Sequence, residues 1–448
     1  MIGKYSLFFL FITSIISCHT VKKLPPPPPP EISAVPIEIP AKAIISDSLQ
    51  PKVNMNKTDE FLENLLKSRP EFTDILANRD SLKIQVIYTQ IDRLANNQPV
   101  FKKYYFNLNR DNYFYPASTV KMPVAMLALQ RLNELKVFGL NSYSSMITEK
   151  AFNGQTAVYN DPTTADGRPT IAHYIKKIFL VSDNDAFNRL YEFLGQEYIN
   201  TQLKKMGYPS TDILHRLSLP LTEEENRHTN PVTFYNTSAK ILYSQPMQVN
   251  NEPYPQRSET VGKGYMLGDK MIDSALNFSK KNRVALEDLA GMLQSIIFPY
   301  SVPVKQRFNL TPEDYSFVLK YMSQYPGETL FPSYDSSNYW NAYSKFLLFG
   351  SEKGKPPGNI RIFNKEGDAY GFLTDIAYVV DFENNIEFML SATIYCNSDG
   401  ILNDDKYDYE TIGLPFMKNL GKLVYDYELT RDRDHQPDLS AFKILYDK

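Results

Sequence analysis

The sequence predicts an α+β fold, with an antiparallel sheet formed by N- and C-terminal strands, packed with helices, plus a mostly helical subdomain. Three observations lead there. Leu82, Ile84, Val86 and Tyr88 recur at every second position, the period of a strand with one buried face. A second strand cluster comes late, at 359–364, 371–381 and 386–395. Between them the apolar residues fall at helical spacing, so the two ends of the chain are expected to close one sheet. That order does not suit a doubly wound α/β fold.

The elements follow in chain order. Residues 1–17 read as an export signal: Lys4 is a small positive start, and Leu7 to Ile16 form an apolar run interrupted by Thr13 and Ser14. The run is shorter than the ~20 residues a membrane-spanning helix needs. Pro25 to Pro30 are consecutive prolines, a stiff polyproline segment rising roughly 3.1 Å per residue. With Pro36, Pro40 and Pro51 they make 18–56 a spacer, with an SH3-type ligand as the alternative use. A globular domain is expected over 57–448. Phe61, Leu62, Leu65 and Leu66 form a helical stripe ended by Pro70. The aromatic stretch Tyr104 to Tyr115 is expected to hold a second strand and its exit, and Thr119 to Leu135 a strongly apolar helix. Further helices are expected at 171–180, 184–206, 284–297 and 312–324, and a last one at 409–428. The polar, turn-rich stretches 141–168 and 245–282 read as insertions or long loops.

Composition limits the function. Of 448 residues, 43% are hydrophobic and 22% charged, which is ordinary for a globular protein. Lys plus Arg number 48 and Asp plus Glu 51, a net charge of −3. No basic excess is present to neutralise phosphates, so no nucleic-acid partner is expected. The two cysteines are Cys18, in the leader, and Cys396, so no disulfide is expected within the globular part. His19, His173, His215, His228 and His435 show no metal-ligand spacing, and neither metal nor cofactor is expected.

The chemistry is concentrated in short motifs. Ser118-Thr119-Val120-Lys121 opens a helix, with Ser and Lys three residues apart on one face. A serine hydroxyl needs a base, and a lysine pressed against an apolar helix can lose its proton and serve as one. Alone, the pair reads as a capping serine and a surface lysine. Ser182-Asp183-Asn184 follows the apolar run Ile178 to Val181, and Lys365-Glu366-Gly367 falls in the late strand cluster, ahead of Tyr370-Gly371.

In this order and context the motifs resemble those of the penicillin-recognising serine hydrolases, the nearest branch being the class A β-lactamases, with S-x-x-K, S-D-N and K-T-G. Arg227 to Pro231 resembles the stretch that closes that family's omega loop. The resemblance extends over roughly 60–430 and implies a β-lactamase/transpeptidase-like fold. It further implies that Ser118 is the acylated nucleophile, that Lys121 is its base or part of its proton relay, and that Ser182 passes a proton to the leaving nitrogen. By the same resemblance Asn184 holds the substrate's amide, Lys365 supplies positive potential, and Glu366, Gly367 and Asp368 line the substrate. The N–H groups of Ser118 and Asp368 would form an oxyanion hole. Ile15-Ile16-Ser17-Cys18 resembles a bacterial lipobox, which implies lipidation at Cys18 and attachment to the cell envelope, facing the periplasm; a plain secretory peptide is the alternative.

Two departures bear on function. Glu366 replaces the family's small hydroxyl residue and would repel a substrate carboxylate, unless it turns outward or pairs with a nearby Arg or Lys. The omega-loop E-x-x-L-N pattern is missing: Ser218 stands at the aligned place in Arg216 to Leu221. Glu223, Glu224 and Glu225 follow at spacing too short for the usual water-activating role. The implied function is an exported, lipid-anchored serine hydrolase acting on a β-lactam or another amide or ester. The alternatives are a penicillin-binding D,D-peptidase-like enzyme acting on peptidoglycan-like amides, and a catalytically silent envelope-binding scaffold.

Overall fold

A computed structural model describes residues 57–448. The leader, Cys18 and the Pro-rich spacer lie outside the described residues. The centre of the fold is a five-stranded antiparallel sheet. Its strands are Gln85–Arg93, Pro99–Phe106, Ile360–Ala369, Phe372–Asp381 and Ile386–Tyr395. Ile386–Tyr395 pairs with Gln85–Arg93, which joins the C-terminal meander to the N-terminal hairpin. Ile360–Ala369 is one edge of the sheet and Pro99–Phe106 the other.

The expected alternation divides the two faces. Ile84, Val86 and Tyr88 join Leu62, Leu66, Phe416, Leu420 and Val424 in one core, beneath the helices Glu60–Lys67 and Leu414–Thr430. Ile87 and Ile91 face a larger core containing Val120, Leu127, Ile178, Leu190 and Leu293. That second core belongs to the helical half, built on Lys121–Leu135, Ile171–Val181 and Asn184–Leu194. The helix Leu286–Ile297 lies on the same face of the sheet. Burial at about 25 cal/mol per Å² of apolar surface is what holds these layers together.

Several expectations are corrected. The second strand, Pro99–Phe106, begins before the aromatic stretch and takes in only Tyr104, Tyr105 and Phe106 of it. The single helix expected over 184–206 is two, Asn184–Leu194 and Gln196–Lys205, parted at Gly195, whose φ of +77° is left-handed backbone suited to glycine. Helical periodicity runs on through the break because both pieces bury a face. The 245–282 stretch is not structureless: Gly264–Leu267 pairs in parallel with Ile401–Leu402, and Thr260–Val261 pairs with Leu276–Asn277. Within 141–168, Ser145–Thr148 pairs with Val232–Tyr235. Short strands of this kind carry too few residues for a period to register. The last helix starts as a π-type turn, Tyr409–Gly413, and continues as Leu414–Thr430.

One buried ion pair ties the sheet to itself. The Arg93 guanidinium donates to both oxygens of Glu387, at 2.5 and 2.7 Å, and Tyr378 Oη donates to the same carboxylate at 2.7 Å. Both side chains are at most 2% exposed. Removing one partner strands a buried charge, so Arg93→Ala is expected to cost about 3–5 kcal/mol. Urea unfolding of the variant checks this, and a loss below about 1 kcal/mol would contradict the assignment.

Candidate active site

Pro116 to Lys121 turns the chain from the aromatic stretch into the helix Lys121–Leu135. Ser118 does not sit on the α-helix itself; it lies in a 3-10 turn, Ala117–Val120, that precedes it. Thr119 locks that turn, its N–H and Oγ1 both donating to the Pro116 carbonyl at 3.1 and 2.6 Å. Ala117 is held at φ +46°, an uncommon conformation for a residue with a Cβ. Strain of this sort persists only where surrounding contacts impose it.

Ser182-Asp183-Asn184 is the turn between two helices. Ser182 takes φ +59° as it ends Ile171–Val181. Asp183 then caps the next helix, its Oδ1 accepting from the Ala186 N–H at 2.8 Å. Asn184 begins that helix, and its amide accepts from Lys121 and donates to Ser218. The residue types are those whose side chains suit caps and left-handed turns.

Lys121, Ser182, Asn184 and Lys365 converge. Lys121 Nζ donates to Asn184 Oδ1 at 2.7 Å, to Ser182 Oγ at 3.2 Å and to the Ser182 carbonyl. Lys365 Nζ donates to the same Ser182 Oγ at 2.8 Å from the other side. One hydroxyl therefore bridges two lysines, both fully buried. Burial pushes the Lys121 ammonium well below the ordinary lysine value, and the adjacent Lys365 charge pushes it the same way. With Lys365 donating to Ser182 Oγ, the Ser182 proton is free to point at a neutral Lys121. The arrangement can therefore move a proton between Lys121 and Ser182 without rearranging heavy atoms.

Gly367 explains how the sheet edge reaches Ser118. A Cβ at Gly367 would lie 2.6 Å from the Ser118 amide nitrogen and 2.9 Å from the Pro116 oxygen. Only a glycine lets the strand Ile360–Ala369 run this close. The backbone of Gly367 and Asp368 thus passes directly beside the Ser118 N–H, where the sequence reading expected an oxyanion hole. Asp368 is raised above the ordinary carboxyl range, by desolvation first and by the Glu366 carboxylate next.

Glu366 does not turn outward. It pairs with its neighbour, Lys365 Nζ donating to Glu366 Oε1 at 2.9 Å, with side chains 0% and 5% exposed. Of the options open in the sequence, pairing with a lysine is the one adopted.

The loop around Ser218 is held by Asn188 and Arg216, which belong to no motif in the sequence. Asn188 clamps Leu217 in both directions, its Oδ1 accepting from the Leu217 N–H and its Nδ2 donating to the Leu217 carbonyl. Arg216, fully buried, donates to Glu192 and to the carbonyls of Glu225 and His228. Ser218 emerges at φ +55°, and Asn184 Nδ2 donates to its Oγ at 2.8 Å. The acidic turn is engaged elsewhere: Glu223 with Arg227 and Lys280, Glu224 with His228, Glu225 with Thr222 and Asn153. No sequence signal singles out Asn188, because a helical Asn at this position matches no motif.

One wall of the site is aromatic. Tyr115 meets Tyr370 edge-on at 5.1 Å and Phe278 at 5.8 Å, and His215 stacks on its other side. Phe278 comes from the 245–282 insertion, so that insertion is packed into the site wall. Asn282, at its end, accepts from the N–H groups of Leu214 and His215.

Residues 68–427 match the model of the Beta-lactamase enzyme family, and the chain belongs to that family. Among solved structures it is similar to a β-lactamase from Sphaerobacter thermophilus, with 11% identity and TM-score 0.44, over 82% of this chain and 96% of that one. It is also similar to PBP-A, with 16% identity and TM-score 0.44, over 82% and 96%. A class A β-lactamase from Clostridium kluyveri gives 15% identity and TM-score 0.43, over 80% and 99%. A search of curated proteins returns no match.

The geometry makes a direct prediction about Lys121. A titration of its Nζ followed by nitrogen NMR is expected to show a midpoint well below 10.5, the ordinary lysine value. A midpoint at or above 10.5 would mean that burial does not govern this group.

Proposed function

We propose that this chain is an exported, lipid-anchored serine hydrolase that acts through an acyl-enzyme on a β-lactam or another amide or ester. The observation that carries the reading is the Ser182 hydroxyl held between Lys121 and Lys365 beside the Ser118 turn. In this mechanism neutral Lys121 takes the proton of Ser118 as Oγ attacks the substrate carbonyl. The N–H groups of Ser118 and Asp368 receive the negative oxygen; one such donor is typically worth about 3–4 kcal/mol. Lys121 then returns the proton through Ser182 to the leaving nitrogen, the C–N bond breaks, and an ester remains on Ser118. A silent scaffold would not need this complete set of donors.

Release of the acyl group is the weak step. It needs a base beside the ester, and general-base help contributes about 10²–10⁴ in rate. Ser218, bonded to Asn184, holds the position where a carboxylate is wanted, and the three nearby glutamates are paired elsewhere. Any acyl-enzyme should therefore be long-lived, as in a penicillin-binding enzyme, and ordinary penicillins should be turned over weakly.

Intact-mass timing with a serine-directed phosphonate and with a slow acyl donor tests this. Both should add to Ser118 alone, and Ser118→Ala should abolish the adduct. The acyl adduct should persist for many minutes, and Ser218→Glu should shorten its life. Labelling that survives Ser118→Ala would defeat the nucleophile assignment, and fast steady-state penicillin hydrolysis would defeat the slow-release reading.

The envelope location is proposed from the leader: a lipid on Cys18 and a Pro-rich spacer would hold the domain away from a membrane, at about 0.8 kcal/mol of anchoring per buried methylene. The substrate is then a small molecule or a peptidoglycan-like amide. Cys18→Ala should move the protein into the soluble fraction or block its processing; unchanged fractionation would refute the anchor.

A further inference from the structure

We infer that the acyl donor used by this site carries no carboxylate on its leaving-group side, because the chain's own Glu366 already occupies the cation that such a carboxylate would need. The inference rests on the acyl-transfer reading above and narrows its substrate class.

A lysine ammonium has three N–H donors and no acceptor. All three on Lys365 are committed within the chain: to Ser182 Oγ at 2.8 Å, to the Glu366 carbonyl at 2.9 Å and to Glu366 Oε1 at 2.9 Å. An incoming carboxylate would have to displace the Glu366 carboxylate, which is itself 5% exposed and would be left buried without its partner. Leaving a buried charge unpaired is strongly unfavourable.

Lys121 and Lys345 offer no substitute, and Lys281 lies off the strand, over the Tyr370 ring at 5.9 Å. Lys121 donates to Asn184 Oδ1, Ser182 Oγ and the Ser182 carbonyl. Lys345, 1% exposed, donates to the Met322 carbonyl at 2.8 Å and to Asn364 Oδ1 at 2.6 Å, behind the strand. Further along that strand, past Gly367, comes Asp368, which among the described residues has no ion-pair partner. At this end of the strand Glu366 and Asp368 act on each other, and Lys365 is shared between them. A donor with an amide, an amine or a plain ester there needs no cation, whereas one with a carboxylate finds Lys365 already held by Glu366.

The test uses two thioesters of one N-acylglycine that differ in a single group. One has thioglycolate as leaving group, with a free carboxylate; the other has thioglycolamide. Acylation of the full chain is timed by intact mass, with a carboxylate-free phosphonate as the control for a working Ser118. The wild type should acylate at least tenfold faster with the carboxamide donor. Glu366→Thr, or Glu366→Gln if the first variant folds poorly, should shift that ratio at least tenfold toward the carboxylate donor. Equal or faster acylation by the carboxylate donor in the wild type overturns the inference while leaving Ser118 intact. So does an unchanged ratio in a variant that the phosphonate still labels, or phosphonate labelling with no reaction of the carboxamide donor. If the phosphonate fails to label Ser118, the acyl-transfer reading itself falls, and this inference with it.

Discussion

The arrangement depends on one hydroxyl, Ser182 Oγ, accepting from two buried lysines that arrive from different layers. Lys121 comes from the helical half and Lys365 from the edge of the sheet. Two ammonium groups so close would repel each other strongly in a low-dielectric interior. Three features relieve that repulsion: the shared oxygen, the Glu366 carboxylate on Lys365, and loss of charge at Lys121, which burial favours. The node thus joins the two halves of the fold, and burial there lowers the Lys121 ammonium.

Behind the node lies a second buried set that fixes the strand carrying Lys365. Asn364 donates to the Asp375 carboxylate and to the Ser344 carbonyl, and it accepts from Lys345. Burial lifts the Asp375 carboxyl to about 6 and lowers Lys345 to about 8. The two shifts act on stability in different windows. The Asp375 contribution is full below its unfolded value, 3.8, and is lost as pH rises through about 6. The Lys345 contribution is full above 10.5 and is lost as pH falls through about 8. Between those values both groups are charged, and the amide of Asn364 lies between them. Their mutual compensation there lets Lys365 and Glu366 remain buried one residue further along.

The Ser218 loop is anchored just ahead of the serine by buried polar contacts. Arg216 pairs with Glu192, and Asn188 holds the Leu217 backbone through both its N–H and its carbonyl. What the loop presents to Asn184 is a hydroxyl, which cannot accept a proton from water as a carboxylate can. The loop is held by its backbone contacts, and the side chain it offers to Asn184 is uncharged.

Much of this was legible in the residues themselves. The alternation of Ile84, Val86 and Tyr88 and the late strand cluster fix a sheet closed by both ends of the chain, because a period of two leaves no other way to bury one face. The motifs around Ser118, Ser182 and Lys365 are equally plain, since cap and turn chemistry is local. Tertiary structure decided the rest. The direction of the Glu366 side chain depends on whether a cation is within reach, and that cation is held in place by Ser182, far away in sequence. The need for glycine at 367 appears only when the strand is laid against the Ser118 turn. The break at Gly195 and the small strands of 245–282 were hidden because one is a single left-handed residue and the others are too short to show a period. Local patterns are written in neighbouring residues; contacts across long stretches of chain depend on which surfaces pack together, and no window of the sequence contains both sides.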